Sequence, residues 1–132
     1  MGDEERNQMS AKVLVIDDDE TAREIVRALL TRAGFSVVVV STPIGATRLI
    51  REIGIDAVVC DLNMPAMQGD SLARLFRSSK ALRAVRLVLM SGASHEELGA
   101  LLFQGSVDAV VHKSDLQREL VSKLRALLPA ES

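Results

Sequence analysis

The sequence has no tryptophan or tyrosine, three phenylalanines and a single cysteine among 132 residues. So few rings leave no stacking platform of the kind that holds single-stranded nucleic acid. A formal net charge of −2 gives no basic excess with which to neutralise a phosphate backbone. Direct nucleic-acid binding is therefore not expected. The one cysteine, Cys60, excludes an intramolecular disulfide framework and agrees with a reducing, cytoplasmic compartment. It lies inside an apolar run, where a thiol acts as a small core side chain. No apolar stretch approaches the roughly 18 residues of a membrane span, and no signal peptide is evident.

What remains suits one soluble domain. Hydrophobic residues make up 48% and charged residues 26% of the chain, the balance of a globular protein. Its length allows one core and no second. Residues 1–10 are polar and aperiodic and read as a flexible tail; residues 11–129 read as the domain, and 130–132 as a short C-terminal tail.

Within the domain, strand and helix patterns alternate five times. The apolar run Lys12 to Ile16 predicts a first strand. Ala22, Ile25, Val26, Leu29, Leu30 and Ala33 then recur at helical spacing, and Gly34 closes that helix. Ser36 to Val40 is a continuous β-branched run, as in a strand buried on both faces. Thr42-Pro43 predicts a helix start with proline at its first position, and Ala46, Leu49, Ile50 and Ile53 turned inward before Gly54. A third strand is predicted over Asp56 to Cys60, a short helix from Asp70 or Ser71, and a fourth strand over Arg86 to Met90. Ser94 to Glu97 has capping-box spacing for a helix that carries Gly99 at its centre. Glycine there costs about 1 kcal/mol relative to alanine, which makes this the least rigid helix expected. Val107 to Val111 predicts the fifth strand. Ser114 to Gln117 predicts a second capping box, opening a leucine-rich helix that Pro129 stops. Apolar strands separated by amphipathic helices predict an α/β fold, a doubly wound parallel sheet with helices on both faces.

Sites in such sheets form at the carboxyl ends of the strands, where strand order reverses. Here those ends carry Asp17 and Asp18, Ser41, Asp61, Ser91 and Lys113. In the order 2-1-3-4-5 the first and third strands are neighbours, so Asp17, Asp18 and Asp61 converge. Two carboxylates about 4 Å apart repel by roughly 4 kcal/mol at an effective dielectric near 20. Three of them call for a cation, and an all-oxygen set favours a hard one such as Mg²⁺. With Lys113 as a fixed counter-charge and Ser91 as a hydroxyl donor, the set suits transfer of a phosphoryl group. Asp61, alone at its strand end, is the better candidate for the attacking carboxylate; Asp17 and Asp18 suit metal holding.

These residues resemble the receiver domains of two-component response regulators, and in extent the single-domain chemotaxis regulators. The resemblance rests on Val15 to Asp19, on Asp61-Leu62-Asn63-Met64-Pro65 with Gly69, on Met90 to Ala93, and on Lys113. It implies a flavodoxin-like (βα)5 fold and a phosphoryl group passed to Asp61 from a histidine kinase or phosphotransfer protein. It also implies that Mg²⁺ is held by Asp18, Asp61 and the Asn63 carbonyl, with Asp17 acting through water. Lys113 would contact the phosphoryl oxygens, and Ser91 would move its hydroxyl toward them. The signal would pass to a downstream protein or output domain, and part of the last helix is available to a partner or a homodimer. By the same resemblance the domain is expected to assist its own phosphorylation and dephosphorylation without otherwise being an enzyme.

Two positions depart from the family pattern. Val110 stands where an aromatic ring is usual, so the relay is expected to run through Ser91 and the helix from about His95. Ser114 stands where proline usually follows the lysine. A trans Lys113–Ser114 bond is therefore expected, with Ser114 as helix cap. Simpler roles suffice for other residues. Asp19 reads as a helix opener rather than a ligand, and His95 and His112 as solvated side chains. A rival reading uses Asp17-Asp18-Asp19-Glu20-Thr21 as the D-x-D-x-T motif of haloacid-dehalogenase-type phosphatases. It lacks an acidic pair after the lysine and leaves Asp61 idle. A second alternative is a receiver fold used constitutively as a binding module.

Overall fold

The computed structural model describes residues 10–62, 78–80, 82–92, 96 and 107–128. Among them are strands β1 (Lys12–Ile16), β2 (Ser36–Val40), β3 (Ala57–Asp61), β4 (Arg86–Ser91) and β5 (Ala109–His112). Helices α1 (Glu20–Arg32), α2 (Ala46–Ile53) and α3 (Leu116–Leu127) flank them, and a 3₁₀ turn, Lys113–Asp115, joins β5 to α3. All strand pairings are parallel, in the order β2-β1-β3-β4-β5. The expected doubly wound sheet is present. The loop from Asn63 to Gly69, the helix expected from Asp70 or Ser71, and the helix expected from Ser94 with Gly99 lie outside the described residues.

The core follows from the period of two in the strands. Leu14, Ile16, Val58, Cys60, Leu87, Leu89 and Val110 point to one face, where Ala46 and Ile50 of α2 cover them. Val13, Val15, Ala57, Val59, Val88, Met90, Ala109 and Val111 point to the other. There Val26 and Leu30 of α1 meet Leu116, Leu120 and Leu124 of α3. Both faces of β1, β3 and β4 are thus covered, which explains their unbroken apolar runs.

Four local expectations need correction. β2 is only partly buried along its length, because the strand order puts it at the sheet edge. Ile25 is 43% exposed; the inward stripe of α1 is Ala22, Val26 and Leu30. α2 begins at Ala46 rather than Pro43. Gly45 sits at φ 83°, a left-handed conformation that interrupts any helix started at Pro43. Finally, Ser114 does not cap α3; it lies inside the 3₁₀ turn, and its backbone N–H donates to Nδ1 of His112. His112, half-buried, thus also caps this turn. The described backbone has no cis bond, so Lys113–Ser114 is trans as expected.

Candidate phosphoryl-transfer site

β1 and β3 are adjacent and in register, Ile16 beside Cys60, so the residues that end them face each other. Carboxylate oxygens of Asp17, Asp18 and Asp61 lie within 4.8 Å of one another. Asp17 is fully buried, Asp61 is 6% exposed, and Asp18 faces solvent. At that spacing two carboxylates repel by about 3 kcal/mol at an effective dielectric near 20. Lys113, delivered by the turn after β5, places Nζ 3.4 Å from Asp17 Oδ2 and 3.5 Å from Asp61 Oδ1. One ammonium against three carboxylates leaves the cluster short of positive charge.

The backbone holds Asp17 firmly. Its N–H donates to the Val40 carbonyl, and its Oδ1 accepts from the Asp19 N–H at 2.9 Å. Arg23 of α1 donates to the Asp17 carbonyl oxygen at 2.8 Å, a contact that helical spacing alone does not reveal. Asp17 Oδ2, in contrast, is buried with no hydrogen-bond partner among the described residues, and it is met by the Lys113 ammonium at 3.4 Å. A buried carboxylate oxygen without a donor is costly unless a cation completes it. An ammonium shared with Asp61 leaves that oxygen open to further positive charge, and the all-oxygen donor set fits a hard divalent cation such as Mg²⁺. Asp19 takes the separate role expected of it: its Oδ2 accepts from the Ala22 N–H and caps α1.

Charge and burial act in opposition at Lys113. Burial pulls its ammonium down, but Asp17 and Asp61 outweigh that and hold it above the ordinary lysine value. Next to the site, the Cys60 thiol is pushed up to about 12 by burial, with Asp61 and Asp17 adding to the shift. It donates to the Asp61 carbonyl at 3.3 Å and is a core residue, as its sequence setting suggests.

Ser91 ends β4, the strand next to β3, and is 1% exposed. Val110 lies in β5, three residues before Lys113, buried on the face covered by α2. The structure therefore brings Asp17, Asp18, Asp61 and Lys113 together, with Ser91 on the neighbouring strand end. Asn63 and His95 lie outside the described residues.

Comparison with known proteins points the same way. The family model of the response regulator receiver domain matches residues 13–125. Response regulator MprA of Mycobacterium sp. (strain KMS) is 36% identical over 120 residues, 91% of this chain and 51% of that protein. DNA-binding response regulator MtrA of Mycolicibacterium smegmatis is 30% identical over the same shares. The chain thus spans about half the length of the curated relatives it matches. The structure of chemotaxis response regulator CheY4 of Vibrio cholerae superposes with a TM-score of 0.79 at 22% identity, covering 90% of this chain and 99% of that one. That likeness shows the fold, and the family match, which takes in all four clustered residues, goes further. The chain belongs to the response regulator receiver domains of two-component systems.

Proposed function

We propose that this receiver domain is a phosphorylation-dependent switch in which Asp61 accepts a phosphoryl group from the phosphohistidine of a kinase or phosphotransfer protein. The observation that carries the reading is the Asp17–Asp61–Lys113 triangle, in which two buried carboxylates share one half-buried ammonium. An Asp61 carboxylate oxygen would attack phosphorus, and the P–N bond would break with its electron pair leaving on the imidazole. The product is an acyl phosphate. Lys113, with Nζ 3.5 Å from Asp61 Oδ1, would stabilise the oxygens that gain charge in that step. Asp18, Asp61 and the Asn63 carbonyl are the proposed holders of Mg²⁺, with Asp17 acting through water. The ion would neutralise phosphoryl charge and align it with Asp61.

Phosphorylation replaces one negative charge with a more strongly negative group bearing three acceptor oxygens. Ser91 is the hydroxyl best placed to answer that change. With valine at position 110, no ring reorients behind it, so the relay to an output domain or downstream protein rests on Ser91 and the loop that follows. A phosphatase of the D-x-D-x-T type gains no support: α3, not an acidic strand end, follows Lys113.

The test is mass spectrometry after incubation with Mg²⁺ and a small phosphodonor. A labile gain of one phosphoryl group is expected in the unmodified protein and none in Asp61→Asn. A stable absence of uptake at every donor concentration would leave a constitutive binding module as the better reading.

A further inference from the structure

The turn that delivers Lys113 has an unusual cap. β5 ends at His112, which keeps an extended backbone, φ −72° and ψ 139°, before the chain enters the 3₁₀ turn. The first amides of any helical turn lack partners within it. Here the Ser114 N–H donates to His112 Nδ1 at 3.1 Å, and Ser114 Oγ lies 2.7 Å from the same nitrogen. A backbone N–H can only donate, so Nδ1 must be the acceptor and the neutral ring carries its proton on Nε2. The imidazole fills a place that Ser, Asp or Asn usually takes.

Lys113 lies between the two bonded residues. A side chain from the residue before it is tied to the backbone of the residue after it. That bracket fixes the backbone from which the lysine must reach both Asp17 and Asp61, at 3.4 and 3.5 Å. A long flexible side chain turns a small backbone change into a large displacement of its ammonium.

We propose that His112 is a positioning residue: its unprotonated Nδ1, by capping Ser114, fixes the backbone that aims Lys113 at the two buried carboxylates. The phosphorylation part of this inference rests on the proposed switch function; the geometric part does not.

Three measurements test it. In the unmodified protein, imidazole ¹⁵N spectra should show His112 Nδ1 unprotonated; a proton on Nδ1 would overturn the proposal. Asparagine can accept the N–H two residues on, whereas leucine cannot. In His112→Leu the Lys113 ammonium should lose its fixed place, read as greater mobility of its ¹⁵Nζ signal, and phosphorylation by a small phosphodonor should slow about tenfold. His112→Asn should keep the lysine ordered and stay within about twofold of the unmodified rate. An unchanged Lys113 ¹⁵Nζ signal in a folded His112→Leu protein would sink the inference. If the unmodified protein takes up no phosphoryl group while Lys113 still responds to His112→Leu, the switch reading fails and the positioning role stands.

Discussion

Both edges of the sheet carry aspartates, but the two edges use them differently. At the amino edge, Asp56 and Asp108 each sit just before a strand and reach sideways to its neighbour. Asp56 Oδ2 accepts the Lys12 N–H at 2.8 Å, and Asp108 Oδ2 accepts the Leu87 N–H at 2.7 Å. These amides lie at the start of β1 and β4, where the parallel ladder leaves donors open. At the carboxyl edge, Asp17 and Asp61 are more deeply buried and face Lys113 and each other. Among the described residues one oxygen of Asp17 has no hydrogen-bond partner and faces the ammonium it shares with Asp61. An aspartate that closes a backbone donor is a structural stitch. One left short of donors in the interior is available for a cation or a reacting group.

The sharpest way to break this contrast is to neutralise one residue at each edge. Asp61→Asn should lose phosphoryl uptake completely, read by mass spectrometry. Its stability to denaturant should stay within about 1 kcal/mol, since a like charge is relieved as a salt-bridge partner is lost. Lys113→Met should slow phosphorylation about a hundredfold, the scale of one lost donor to a transition-state anion. Asp108→Ala should do the reverse, leaving the phosphorylation rate unchanged and lowering stability by about 1–3 kcal/mol as the Leu87 N–H loses its partner.

The smallest effect expected is on alkaline stability. The folded state holds the proton of Lys113 above its ordinary value and that of Cys60 up to about 12. Both groups therefore bind protons more tightly folded than unfolded, so their contribution is full below the ordinary values and fades as pH rises through the folded ones. Thermal melts at rising pH should show the margin of the unmodified protein over Lys113→Met shrinking above pH 10.5, the ordinary lysine value. A margin that grows with pH would contradict the ion-pair geometry.

The carboxyl edge was far more legible in the sequence than the amino edge. Strand-ending acids after the first and third apolar runs announce a shared site once parallel order makes those two strands neighbours. Asp17, Asp18, Asp61 and Lys113 were readable in that way, and so was Asp19 as a cap. Asp56 and Asp108 were not, because their partners lie 44 and 21 residues away and pattern gives no hint of side-chain direction. The partial exposure of β2 was hidden too, since four consecutive valines look the same at an edge as at the centre. At α2 a single left-handed glycine overrode a good proline start. At the β5 turn, the nearness of His112 outcompeted the serine cap that spacing favoured.

The most direct measurement is the rise in melting temperature on adding Mg²⁺, compared between the edges. Ligand binding to the folded state alone adds about 2.7 kcal/mol at a hundred times the dissociation constant. The unmodified protein and Asp108→Ala should gain equally, and the Asp18→Asn/Asp61→Asn double variant should gain nothing. Equal stabilisation of the double variant, or none in the unmodified protein, would contradict a cation site at the carboxyl edge.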